Sequence, residues 1–180
     1  NGLGSHISPA YGGWGGRYTL EKTYAEIRPI WTNSRDRVQA QDSSWHTTAQ
    51  ATIWRWREAY QHDFAARMDW CVAKHFEDAN HNPVLILNND HTKNILEISA
   101  KSGETISLSA EGSSDPDGDK IKLIWYPYPE AGTCTKIVTL SKTEGLETTL
   151  RIPAVEKECT VHVILEGRDN GKPNLFSYRR

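Results

Sequence analysis

Apolar positions follow two different rhythms along this chain. Between residues 47 and 78, Ile53, Trp56, Tyr60, Phe64, Met68 and Cys71 recur at spacings of three and four. That spacing places them on one face of a helix. No proline or glycine interrupts the run, and Thr47 or Thr48 offers a side-chain oxygen to cap its start. The awkward point is His62-Asp63, because aspartate favours an N-cap over a helix interior. The pattern accommodates one long helix, or two with Asp63 starting the second.

The stretch "EDANHNP" (77–83) is acidic, rich in asparagine and ends in proline, the composition of a linker. Beyond it the rhythm shortens. Segments 83–88, 94–99, 104–110, 121–128, 135–140, 148–153, 160–169 and 174–180 are short, β-branched or aromatic, and often alternate. Turn signals such as Lys101-Ser102-Gly103, "SDPDGD", Glu144-Gly145 and "DNGKP" separate them. Seven or eight short strands in about a hundred residues fit an immunoglobulin-like β-sandwich, with Trp125 as its core tryptophan.

The first 46 residues follow neither rhythm. In "YGGWGGRY" four glycines flank Trp14, which precludes a stable helix and permits positive φ. The loop presents Trp14, Arg17 and Tyr18. Those side chains suit either a loop packed by its own aromatics or the rim of a cleft, since flat rings and a planar guanidinium fork match sugars or bases. Residues 21–46 are polar and lack periodicity. Six of seven tryptophans lie in the first 70 residues, which sets this part apart from the strand-rich remainder.

Composition narrows the function classes. Hydrophobic residues make up 37% and charged residues 24% of 180, the balance of a globular protein. A net charge of −2 argues against nucleic acid or an anionic membrane as partner. No apolar run approaches the ~20 residues that span a bilayer. The chain opens without methionine or a signal peptide, as a processed or trimmed piece would. Cys71, Cys134 and Cys159 match no zinc or redox spacing; Cys134 and Cys159 pair across strands or all three stay as thiols.

Two stretches carry candidate chemistry. Asp115, Asp117 and Asp119 alternate as in a calcium loop, although turn propensity accounts for the same string. Asp63 and Arg67 stand four apart on the helix and suit an ion pair. His6, His46, His75, His81, His91 and His162 share no metal-ligand spacing.

"SSDPDGDKIKLIWY" resembles the loop and strand of polycystic-kidney-disease and cadherin-like domains. Taken in order, "NGLG", "GGWGGRY", "RWREAYQHDFAARMDW", "NHNPV", "SDPDGD", "WYPYPEAGT" and "VHVILEGRDNGKPNLFSYRR" resemble nucleoside-hydrolase-like, cellulose-binding proteins with a C-terminal sandwich. The resemblance implies a mixed fold class: a helical closing segment of an α/β nucleoside-hydrolase-like domain (1–80), then an all-β immunoglobulin-like sandwich (81–180). It implies the C-terminal portion of a secreted or periplasmic carbohydrate-active protein. That protein would bind or hydrolyse a glycosidic or N-ribosidic bond with the help of its upstream portion. The alternative is a non-catalytic, polysaccharide-binding protein. By the same resemblance Asp63 is a calcium ligand, His62 a catalytic acid or orienter, and Trp14, Arg17 and Tyr18 line the ligand cleft. Calcium wants six to eight oxygens, so the site is incomplete in this chain.

Overall fold

The computed structural model describes residues 2–22 and 27–180; Asn1 and residues 23–26 of the stretch read as irregular lie outside the described residues. The chain divides into two compact units, one of Leu3–Tyr60 and one of Gln61–Arg180 with Gly2.

The first unit is built on two antiparallel ribbons. Strand β1 (Tyr18–Glu21) pairs with β2 (Ile30–Asn33), and β3 (Asp36–Gln39) with β4 (Trp45–Thr48). The β3–β4 turn is closed by the Ala40 N–H on the Ser44 carbonyl. Asp42 Oδ1 accepts from both the backbone and the hydroxyl of Ser44, which holds its carboxyl below the usual range. Gln50 is the N-cap of α1 (Ala51–Trp54) and makes no side-chain cap bond, so the expected threonine cap is not the N-cap, although Thr48 Oγ1 accepts from Ala51 N just inside the helix.

The expected helical closing segment over 1–80 is overturned. These residues hold four strands and a short helix before α2 (Arg57–Val72), which is the one long helix among the described residues. The reason lies in strand length and exposure. Each strand has four residues, too few to establish a period, and β2 is exposed at every position. The helical run also starts later than its pattern suggests and is interrupted at Arg55-Trp56, not at His62-Asp63. Helix α2 buries Ala59, Asp63 and Ala66, while Phe64, Met68 and Cys71 of the expected apolar face are exposed.

In the second unit β5 (Thr105–Ser109) pairs with β7 (Glu147–Arg151), and β6 (Lys122–Pro127), β8 (Val163–Arg168) and β9 (Phe176–Arg179) form a three-stranded antiparallel sheet. Leu85, Leu87, Leu108, Ala110, Trp125 and Leu165 make the core. Trp125 is 1% exposed, as its strand position implies. Of the eight expected strands five form, short of the seven or eight that the immunoglobulin-like expectation required.

Segment 83–88 shows why. Its leucines are core residues, but its backbone forms no ladder, only isolated bridges of Val84 with Ser114 and Leu87 with Asp90 and a bond from Asn88 N to the Ser109 carbonyl. A short buried apolar run carries the same signal in a loop as in a strand. The buried Arg179 guanidinium satisfies this loop instead, donating to the carbonyls of Leu85, Asp90, Thr92 and Asn94.

At the chain's end the Arg180 guanidinium donates to His162 Nδ1 at 3.1 Å. The accepting nitrogen must be unprotonated. Burial first, and the Arg180 charge second, push the His162 pKa down to about 4. A depressed histidine stabilises the fold fully above its unfolded pKa of about 6.5 and loses that contribution as pH falls toward 4. Screening at this half-buried site reduces the effect to about 1–2 kcal/mol. Urea titrations at pH 7 and pH 4 should show this loss, and His162→Gln should remove that component of the pH dependence.

Candidate functional site

His62 and Asp63 sit in the interior of α2, so Asp63 is not an N-cap. Its carboxylate is buried and accepts from Arg67 Nε at 2.6 Å, the expected i to i+4 pair. With Arg67 60% exposed, the pair contributes only about 0.3–0.5 kcal/mol. His62 Nδ1 lies 2.9 Å from the Asn174 carbonyl oxygen and its ring tilts against Phe176. A carbonyl only accepts, so Nδ1 carries a proton.

Trp14, Arg17 and Tyr18 belong to the first unit and face inward demands. Arg17 Nε donates to Asp36 Oδ1 at 2.7 Å, and its Nη2 to the Arg35 carbonyl. Arg55 Nη1 donates to the other Asp36 oxygen at 2.8 Å. Asp36 is fully buried between these two guanidinium groups. The Tyr18 hydroxyl donates to the Gly15 carbonyl, and the buried Trp14 indole N–H finds no acceptor among the described residues. The glycine-rich loop therefore folds back on itself, using positive φ at Gly12 and Gly16.

The aspartate loop is a turn. Asp115 Oδ1 accepts from the backbone N–H of Asp117 and Asp119, and Asp117 accepts from the backbone of His81. Among the described residues no group of three His, Cys, Asp or Glu is placed to hold a metal ion. Asp63, already paired with Arg67, does not by itself fit a calcium centre.

Among the described residues a recessed surface lies along the β5–β7 ribbon, where polar side chains mix with Ile86 and Leu108. Register pairs Ser107 with Thr149 and Ser109 with Glu147, while Leu108 between them points to the core. This alternation is the two-residue period of a half-buried strand. Ser107, Ser109, Glu147 and Thr149 line a groove of about 570 Å³, bordered by Asn88, Asn89, His91 and Glu111. Asn88 holds one side rigid: its Nδ2 donates to the Ser107 carbonyl and its Oδ1 accepts from Ser109 N at 2.7 Å. Asn88 and Asn89 both adopt positive φ, a conformation asparagine tolerates better than most residues. The groove thus offers hydroxyls, carboxylates and an amide, with no Trp, Tyr or Phe in its lining. The alternation in "TISLS" is visible in sequence, but only strand register reveals its polar partners on β7.

Residues 105–180, which contain most of this groove, match the family described as the C-terminal domain of the cellulose-binding protein Sde0182. The chain is also similar to a solved structure described as a nucleoside hydrolase-related hypothetical protein from Saccharophagus degradans that is associated with carbohydrate metabolism. The two share 34% identity with a TM-score of 0.80, over 99% of this chain and 43% of that one. The chain therefore spans less than half the length of that protein. No curated protein matches. Among the described residues no helix is long and apolar enough to cross a membrane.

Proposed function

We propose that this chain is the glycan-binding C-terminal part of a secreted carbohydrate-active protein, and that the β5–β7 groove takes a single polysaccharide chain. The observation that carries the reading is the row of Ser, Thr and Glu side chains along the groove, most of which lies in the segment matching a cellulose-binding family. Sugar hydroxyls are both donors and acceptors. Ser107, Ser109 and Thr149 hydroxyls complement either role, and the Glu111 and Glu147 carboxylates accept. A floor without an aromatic platform suits an accessible β-glucan chain better than a flat crystalline face.

A hydrogen bond to a charged group is worth about 1.5–3 kcal/mol, so Glu147→Ala is expected to weaken binding of soluble cello-oligosaccharides about tenfold or more. Titration calorimetry measures it. Glu144→Ala, which breaks the exposed pair with Lys122 outside the groove, serves as the control. Equal affinity of Glu147→Ala and the parent chain would refute the groove.

A second reading takes support from the similarity to a nucleoside hydrolase-related protein. In it, His62 and Asp63 contribute to a hydrolytic site completed by residues outside this chain. The same titrations, run on a longer form, separate the two. Release of sugar or base that disappears in His62→Ala and Asp63→Asn supports hydrolysis, whereas binding without release supports a binding part alone.

A further inference from the structure

We propose that Cys134 and Cys159 are a disulfide site, closed by thiol–disulfide exchange to staple two loops of the second unit. The backbone already sets the pair in register. Thr133 N and Cys134 N both donate to the Thr160 carbonyl. Thr133 N also donates to Thr160 Oγ1, and Thr160 N donates back to Thr133 Oγ1 at 2.9 Å. With Thr133 opposite Thr160 in an antiparallel approach, the next opposed pair is Cys134 and Cys159. The approach is unusually close. A Cβ on Gly132 would lie 2.6 Å from the Thr160 carbonyl oxygen, so only glycine lets the segments come together there.

The side chains follow the backbone, and the Cys134 thiol lies near enough to Cys159 to perturb it. The neighbouring Cys134 thiol, and burial after it, raise the Cys159 thiol above its ordinary value, so Cys159 is held as the protonated partner. Both cysteines are half-buried, within reach of a small disulfide.

The exchange balances with a small-molecule disulfide such as oxidised glutathione. The Cys134 thiolate attacks one sulfur of the reagent, forming a mixed disulfide and releasing one thiolate. Cys159 gives its proton to water and attacks Cys134 Sγ, expelling the second thiolate. Two protein thiols are oxidised, and one reagent disulfide is reduced to two thiols.

The test uses the 180-residue chain carrying Cys71→Ser, since Cys71 is exposed on α2 and would react independently. After incubation with oxidised glutathione, both remaining thiols should vanish. The chain should lose the mass of two hydrogens, and a Cys134–Cys159 peptide should appear in the digest. The bridge closes a loop of about 25 residues, so Tm is expected to rise by about 10 °C. Adding Cys159→Ser should stop the reaction at a mixed disulfide on Cys134. Two thiols still free, or stable glutathione adducts on the chain that retains both cysteines, would overturn the proposal.

Discussion

Asp36→Asn is expected to destabilise the chain by about 3–5 kcal/mol, lowering Tm by roughly 10 °C. The carboxylate is fully buried, and each of its oxygens receives a guanidinium, Arg17 at 2.7 Å and Arg55 at 2.8 Å. Those side chains are only 10% and 16% exposed. Asparagine keeps the shape but not the charge, leaving two nearly buried cations to repel each other. It also presents an amide N–H₂ to one of them, a donor against donors. The effect is thus mostly the cost of two nearly buried charges that lose their carboxylate, not the net worth of the original triad. A sharper measurement follows from that reasoning. The triple change Asp36→Leu, Arg17→Met and Arg55→Met should cost less than Asp36→Asn alone, because it removes all three charges together. Differential scanning calorimetry of the two variants decides it, and a triple variant less stable than the single one would refute this account.

The Asp36 site also shows what the sequence conceals. Arg17 and Arg55 lie nineteen residues away on either side, and nothing in "SRDRV" distinguishes this aspartate from a surface one. Arg17 reads from composition as a sugar-binding fork, yet that fork is spent on Asp36 and the Arg35 carbonyl. Local patterns describe which groups a side chain offers, not which buried charge claims them.

The same limit explains the helix. A spacing of three and four selects Phe64, Met68 and Cys71, but α2 turns its small residues Ala59 and Ala66 inward together with Asp63. Alanine barely registers in a hydrophobic pattern, and an acid in its midst hides the stripe further. Asp63 reads as a helix start because of its N-cap preference, yet Arg67 satisfies it in place. The β5, β6, β7, β8 and β9 strands were legible because five or so alternating residues with bounding turns carry a real period. The ribbons β1–β2 and β3–β4 were not, since cross-strand pairs such as Thr19 with Thr32 place polar residues opposite each other and set no buried face. The groove was half legible. Serines alternate with Leu108 in β5, but Glu147 and Thr149 join them only through the register of a strand forty residues on.

Trp125→Ala is expected to cost the second unit about 3–5 kcal/mol, comparable to the loss at Asp36. The indole is 1% exposed and contributes to the core with Leu85, Leu108 and Leu165. Removing it leaves a cavity that β6 cannot collapse to fill, because β6 is held by six register pairs to β8. A second, smaller term is separable. Trp125 Nε1 donates to the Gly145 carbonyl at 2.8 Å, while the backbone N–H of Trp125 donates to the Thr143 carbonyl. The tryptophan therefore anchors the turn before β7 from two directions. Trp125→Phe fills most of the space but cannot donate, so it should lose the polar term of about 1–2 kcal/mol and part of the packing. Its cost should fall between those of the parent and the alanine variant. Urea unfolding of the three chains yields both terms. Because the turn leads into Glu147 and Thr149, the cello-oligosaccharide affinity proposed for the groove should also fall in Trp125→Phe under conditions where it remains folded. An unchanged affinity there would mean that the groove's floor is positioned by β5 alone.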